Sequence, residues 1–507
     1  MSKQEFVLAL DQGTTSSRAI LFDRSLYPRA SAQREFPQIY PRPGWVEHDP
    51  DAIWESQRAA IRDVLAIAAC PPSAVAAVAL ANQRETVVVW NRRTGRPVHN
   101  AIVWQCRRTA DACLSLENKG FGDLVRSKTG LVLDAYFSAP KIQWILDRVD
   151  GARDAARRGD LLCGTVDSWL AWNLSGGQSH LSDFTNASRT MLFDVRNLRW
   201  DDELLDLFRV PPSLLPRVVP SSGVAASCRL PEFGAHSPPL AGIAGDQQAA
   251  LFGQGCFEPG QLKNTYGTGC FLLLNAGPDP VFSGNGLLTS LGAQSLPGAP
   301  SFVLEGSVFM GGAVVQWLRD ELRFLEKSSD AGPVAASVPD SGGVVLVPAF
   351  AGLGAPRWDG FARGAILGMT RGTNRAHIVR AAEEAIAFQC ADVVRAMQAD
   401  LSRPVTSLRV DGGAANDDFL MQFQADVLGC RIERPACMES TALGAASLAA
   451  LAIGWHSPSS LADRPPARVF IPNMDPALRQ RLLARWNKAV DRAARWIDPS
   501  PQPNPPS

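Results

Sequence analysis

Phe6-Val-Leu-Ala-Leu-Asp-Gln-Gly-Thr-Thr-Ser-Ser-Arg-Ala-Ile-Leu-Phe22 reads as two apolar strands joined by a polar turn. Phe6 to Leu10 and Ala19 to Phe22 are apolar runs bounded by turn residues, the pattern of buried strands. Between them a glycine lets backbone N–H groups approach an anion, and Thr14, Thr15 and Ser16 add hydroxyl donors. Arg18 brings positive charge. Asp11, ending the first strand, offers the oxygen ligand that Mg2+ prefers, directly or through water. Taken alone, the stretch reads equally well as an ordinary hairpin turn rich in Ser and Thr.

The pattern returns in the second half of the chain. Leu262-Lys-Asn-Thr-Tyr-Gly-Thr-Gly-Cys-Phe-Leu-Leu-Leu274 is again strand, small polar turn, strand. Two Gly-Thr hairpins from opposite halves can clamp one polyphosphate between two lobes. A third piece, Val410-Asp-Gly-Gly-Ala414, leads into a helix and offers flexible backbone and a helix N-terminus where a nucleotide would sit. Each piece has a bland structural reading, but the three in this order are hard to obtain by chance. The two standard nucleotide loops are absent: no lysine follows a glycine, which rules out G-x-x-x-x-G-K-[ST], and there is no G-x-G-x-x-G.

At 507 residues the chain exceeds what one core supports, so an α/β protein of two related domains is expected. The boundary falls between Gly253 and Gly260, giving domains over 1–255 and 256–496 and a tail over 497–507 with five prolines, read as disordered. Asp49-Pro50 predicts a helix start, with Ile53, Trp54, Ile61, Val64 and Leu65 on its apolar face. Strands are expected at Val75–Leu80, Thr86–Trp90, Val344–Val347 and Leu408–Val410, and a long helix over 376–400. Fifty basic and fifty acidic residues cancel, which argues against nucleic acid or anionic lipid as partner. The ten cysteines are scattered without a C-x-x-C, so buried reduced thiols are expected rather than zinc ligands. No signal-peptide pattern and no membrane-length apolar run are visible, which predicts a cytoplasmic protein without integral membrane association.

Long blocks carry a resemblance: Leu10 to Arg18, Gln33-Arg-Glu-Phe36, Pro43-Gly-Trp-Val-Glu-His-Asp-Pro50, Asn82-Gln-Arg-Glu-Thr86, Val103-Trp-Gln-Cys-Arg-Arg-Thr109, Thr185-Asn-Ala-Ser-Arg-Thr-Met-Leu192, Gly245-Asp-Gln-Gln-Ala-Ala-Leu-Phe-Gly253, Asn264 to Phe271 and Pro348-Ala-Phe350. From Val7 to about Leu451 the chain resembles the FGGY family of carbohydrate kinases, within the actin-like ATPase superfamily. The resemblance implies two ribonuclease H-like domains with the active-site cleft between them. It also implies ATP and Mg2+ as cofactors, phosphorylation of glycerol to sn-glycerol 3-phosphate in glycerol catabolism, and a homodimer or homotetramer.

Carried over residue by residue, the resemblance implies a polyol pocket of Arg84, Glu85, Tyr136, Asp246 and Gln247, walled by Trp104 and Phe271. Asp246 would be the catalytic base. Glycerol is small, uncharged and rich in hydroxyls, so convergent donors and acceptors suit it. Adjacent strand residues point to opposite faces, so Arg84 and Glu85 must lie at a strand end or bend to share a ligand. For nucleotide the resemblance implies Thr14, Thr15, Ser16, Arg18, Thr268, Gly312, Gln316 and Gly413, with Asp11 for the metal. Two departures stand out. Asp417 occupies a position where relatives often carry asparagine, with Asn416 just before it. Some members carry a Gly-Gly-Lys-Gly-Gly loop followed by arginine, associated with inhibition by fructose 1,6-bisphosphate; here the stretch is Leu230-Pro-Glu-Phe-Gly-Ala-His-Ser-Pro-Pro239, and insensitivity is expected. Rival expectations are a sister kinase for a pentulose, gluconate or erythritol, against which Asn82 to Thr86 argues, and a nucleotide-dependent regulatory protein using the same clamp.

Overall fold

The computed structural model describes residues 5–293, 300–462 and 464–497. The first hairpin forms as read: β1 (Phe6–Gln12) pairs antiparallel with β2 (Ser16–Phe22), and β3 (Pro28–Glu35) adds antiparallel to β2. The second strand begins three residues earlier than its apolar run, at Ser16 rather than Ala19. Ser17 turns inward there, its hydroxyl 2.8 Å from that of Ser56 in α1 (Pro50–Ile67). Asp49 caps α1 by accepting the Asp51 N–H, and Ile53, Ile61, Val64 and Leu65 are buried, with Trp54 half-buried. Through α1 the chain returns to the other side of β1, where β4 (Val75–Asn82) and β5 (Pro239–Gly245) extend the sheet in parallel.

The second half repeats this topology. β6 (Leu262–Tyr266), β7 (Cys270–Gly277) and β8 (Phe302–Val308) run antiparallel, and β9 (Ser407–Asp411) and β10 (Arg431–Arg434) join β6 in parallel. In both sheets the order is third, second, first, fourth, fifth, each with further edge strands. The echo between the two Gly-Thr hairpins is therefore an echo of whole sheets.

Five helices matter for the site: α2 (Asp246–Gly253), α3 (Gly312–Asp320), α4 (Arg375–Leu401), α5 (Asp418–Leu428) and α6 (Ser440–Ala452). α6 comes late in the chain yet covers the first sheet. Ala442, Ala445, Ala446 and Ala449 share a core with Val7, Ala9, Ala77, Ala79 and Ala81. A Cβ on Gly444 would lie 1.8 Å from the Ala249 carbonyl oxygen, so the backbones of α2 and α6 touch.

The strand expected at Thr86–Trp90 forms at Val87–Asn91, in a separate small sheet with Glu47–His48, Ala101–Ile102 and Leu161–Thr165. The cause is local. Glu85 adopts φ +61°, the left-handed region, which turns the chain out of the main sheet after β4. All ten cysteines are free, nine of them buried and Cys437 half-buried. Among the described residues no helix is long and apolar enough to cross a membrane. The proline-rich tail beyond Ile497 lies outside the described residues.

Candidate active site

Parallel strands leave their carboxyl ends free for ligands. Here β1, β4 and β5 end together, since Gln12 pairs with Asn82 and Asn82 with Gly245. Asp11 thus lies beside the segment that carries Arg84 and Glu85, and beside Asp246 at the first position of α2. Gly245 is the N-cap of α2, and the Asp246 side chain accepts its own neighbour's N–H, Gln247 N to Oδ1 at 2.7 Å. Arg84 Nε lies 3.2 Å from the same oxygen. Oδ1 thus takes one hydrogen bond and one ion pair, while the side chain as a whole keeps 29% of its exposure. The carboxylate is held closely at Oδ1, while Oδ2 takes only the long contact from Gln247 Nε2 at 3.4 Å.

Arg84 and Glu85 are joined by two residues that the sequence reading did not single out. Glu305, on β8 of the second sheet, takes both ends of the Arg84 fork, at 2.6 and 2.8 Å. Arg189 binds Glu85 at 2.5 Å and reaches Glu305 at 3.4 Å. Its guanidinium lies over the ring of Tyr136, 5.4 Å from the centroid. Two arginines and two glutamates cancel, so the buried quartet is neutral. Burial alone would raise Glu305, but Arg189 and Arg84 outweigh it and hold the carboxyl at about 2. Burial pushes Glu85 upward, with Arg189 and Arg84 opposing. Arg189 lay inside the block Thr185–Leu192. Glu305 had a signal too: one acid within the apolar strand Phe-Val-Leu-Glu-Gly-Ser-Val.

The remaining polyol candidates surround this cluster. Trp104 packs edge-on against Tyr136, centroids 5.7 Å apart, and its indole N–H donates to Thr14 Oγ1 at 3.0 Å. Gln247 is buried beside Asp246, its Nε2 3.4 Å from Oδ2. Phe271 sits opposite Thr265 and Ser307, and so shares a sheet face with Lys263, Thr265 and Glu305. The strand end and bend expected for Arg84 and Glu85 are both present, at Asn82 and at the positive φ of Glu85. A non-glycine residue there costs about 1–3 kcal/mol, which the buried quartet offsets.

For nucleotide, the first hairpin turn closes with Gly13 N to Ser16 O at 2.9 Å, leaving Thr14 half-buried and Thr15 exposed. Ser16 accepts from Gln33, and Arg18 turns to Gln33 and to Glu439, just ahead of α6. Arg18 therefore acts here as a tie between the two halves, not as a free charge at the turn. In the second hairpin, the N–H groups of Gly312 and Ala313 donate to the carbonyls of Gly267 and Thr268. Gly312 secures the hairpin, while Thr268 and Gln316 stay exposed. Gly412, at φ +88°, lies so close that a Cβ would meet Tyr266 O at 2.5 Å, whereas Gly413 faces open space. Asp417 caps α5, accepting from Phe419 and Leu420, while the exposed Asn416 stands next to Gly413.

Burial pushes Asp11 up to about 7; Arg18 opposes this, and Asp246 and Glu439 add to it. A cation beside Asp11 would relieve that carboxylate. Among the described residues no group of three or more His, Cys, Asp or Glu side chains is poised to hold a metal ion. One carboxylate, with water and phosphate oxygens completing the shell, is the arrangement that suits Mg2+. Asp11 fits that role.

The five-strand order repeated in a six- and a seven-stranded sheet, with carboxylates at the strand ends and Gly-Thr hairpins in both halves, defines a two-domain fold of the actin-like ATPase type. Residues 6–253 match the N-terminal domain, and 262–453 the C-terminal domain, of the FGGY family of carbohydrate kinases. A curated glycerol kinase of Carboxydothermus hydrogenoformans is 55% identical over 97% of this chain and 99% of its own length. The crystal structure of Plasmodium falciparum glycerol kinase with ADP is 34% identical, covering 97% of this chain and 98% of that one, with a TM-score of 0.91. Xylulose kinase from Lactobacillus acidophilus, 22% identical over 96% of this chain and 98% of its own, shares the fold with a TM-score of 0.86. The chain belongs to the FGGY family of carbohydrate kinases.

Proposed function

We propose that the chain is an ATP-dependent kinase that phosphorylates glycerol to sn-glycerol 3-phosphate, with ATP and Mg2+ as its cofactors. Relatives named glycerol kinase, 54–56% identical over nearly the whole chain, support this. The observation that carries it is the convergence of Arg84, Glu85, Asp246 and Gln247 on one point at the carboxyl ends of β4 and β5. Charged forks and amides suit hydroxyls, and the small aromatic wall of Trp104 and Tyr136 suits a three-carbon chain.

In this reading Asp246 orients a terminal hydroxyl through Oδ2, the less constrained of its oxygens, and accepts the proton as the hydroxyl oxygen attacks the γ-phosphate in line. A loose phosphoryl-transfer transition state asks for orientation and charge stabilisation more than for a strong base. Arg84 and the Gln247 N–H hold the carboxylate still. Thr14, Thr15, Ser16 and Thr268 donate to the polyphosphate, with Arg18, Gly312, Gln316 and Gly413 shaping the nucleotide cleft. Asp11 would hold Mg2+, which would supply neutralising charge to the phosphate oxygens. Phe271 closes the apolar wall, and closure of the lobes excludes water. The domains are 1–255 and 256–496, the chain works in the cytoplasm, and it assembles as a homodimer or homotetramer.

The test is a coupled ADP-release assay with MgATP, comparing glycerol against xylulose, ribulose, gluconate and erythritol. Selective turnover of glycerol is expected. Preference for another polyol would overturn the reading of Arg84 and Glu85, and tight ATP binding without turnover of any polyol would favour a regulatory protein.

A further inference from the structure

Lys263 stands in the middle of β6, fully buried, on the sheet face it shares with Thr265 and Glu305. A buried ammonium is costly unless its protons find acceptors. Those acceptors are Gln247 Oε1 at 2.5 Å and Thr265 Oγ1 at 2.8 Å. Burial, with Arg84 adding to it, lowers the lysine to about 8, while Asp411, Asp246 and Glu305 hold it up; both close neighbours offer it oxygen, so the nitrogen stands there as a donor. An ammonium has three donors and no acceptor.

We propose that Lys263 is a positioning residue: it fixes the Gln247 amide with its oxygen inward, making Gln247 a hydrogen-bond donor to the polyol. An amide presents either its oxygen or its nitrogen to a neighbour, and the choice follows from the partners around it. Lys263 accepts nothing, so only Oε1 can face it. The nitrogen is then forced to the other side, where Nε2 lies 3.4 Å from Asp246 Oδ2. The same ammonium anchors Thr265, two residues before the Gly-Thr turn of the second hairpin. One buried cation thus ties the orientation of a polyol ligand to the strand that carries a phosphate hairpin. A free glutamine would sample both orientations, and one of them would set its oxygen against the Asp246 carboxylate. The inference rests on the reading of Gln247 as part of the polyol pocket.

Two variants test it, with glycerol KM, MgATP KM, ADP binding and melting temperature measured for each. Gln247→Glu keeps an acceptor for Lys263 but removes the donor. Glycerol KM is expected to rise about tenfold, the worth of one substrate hydrogen bond, with ADP binding unchanged. Lys263→Met releases the amide: glycerol KM rises, and discrimination between glycerol and the propanediols that lack one hydroxyl shrinks. Lys263→Arg, which still donates, restores much of both. A Gln247→Glu enzyme with parental glycerol KM would overturn the inference, because it would make Gln247 an acceptor or a bystander. So would parental KM and discrimination in Lys263→Met. If Lys263→Met fails to fold, Gln247→Glu decides alone, since it retains the buried pair. A parent enzyme that turns over no polyol counts against the proposed function instead.

Discussion

Asp246 combines a loosely held oxygen, 3.4 Å from Gln247 Nε2, with one that takes the Gln247 backbone N–H and lies beside the Arg84 guanidinium. Replacing it by Asn keeps the shape and the pinning but removes the proton acceptor. Turnover of Asp246→Asn is expected to fall by about 10²-fold or more while ADP affinity holds, as read by steady-state rates and calorimetry. A variant with normal turnover would remove Asp246 from the role. Glu305 is the corresponding structural test. It neutralises Arg84 and Arg189 where all three side chains are buried, and Glu305→Gln leaves the quartet with an uncompensated charge. The expected loss is about 3–5 kcal/mol in denaturant unfolding. The pH dependence has a definite sign. Glu305 is depressed from 4.5 to about 2 in the folded protein, so its contribution is complete above 4.5 and is lost as pH falls through 2. The stability gap between wild type and Glu305→Gln should therefore shrink across that window. At this scale the sequence made Asp246, Arg84 and Glu85 legible because they sit in long family-like blocks. Glu305 escaped because a single acid in an apolar strand does not reveal its partner 221 residues away.

Among the elements, the turn after β9 separates folding from binding. Gly412 needs its positive φ and its lack of a Cβ, with Tyr266 O only 2.5 Å from where one would stand. Gly413 has nothing within 4 Å of a built Cβ. Gly412→Ala is expected to lower the melting temperature and the yield of folded protein. Gly413→Ala should melt like the parent yet bind ADP more weakly, because the open space beside it is where nucleotide would approach. Equal melting temperatures for the two variants would contradict this account. Strand and helix positions were largely readable from apolar runs and caps: α1 starts at the predicted Asp49-Pro50, and α4 covers the predicted long helix. The strand at Thr86 was assigned without its sheet. A left-handed residue such as Glu85 redirects the chain, and nothing in its side chain announces that conformation.

For the whole molecule, two repeated sheets are joined by α2 and α6 packed backbone to backbone through Gly444. The stretch Leu230–Pro239 lies on the first half, and its only candidate cation is occupied: His236 Nε2 lies 2.8 Å from the Val75 carbonyl oxygen. Glu232 in the same stretch pairs with Arg58 and Arg62. No free positive charge in this stretch faces a sugar bisphosphate. Millimolar fructose 1,6-bisphosphate is expected to leave the rate unchanged, and strong inhibition in the same assay would refute that expectation.

Turn chemistry and apolar patterning are local properties of a chain, and they made the two Gly-Thr hairpins legible in the amino-acid order; the family, with Arg84, Glu85 and Asp246, was legible through the long matching blocks. The tertiary structure alone decided the pairing of the buried charges: Glu305 with Arg84, Arg189 with Glu85, Lys263 with Gln247. It also decided that α6, late in the chain, completes the first sheet rather than the second. These choices depend on which surfaces exclude water together, and that is set by the packed whole. Residue type and spacing cannot encode it one segment at a time.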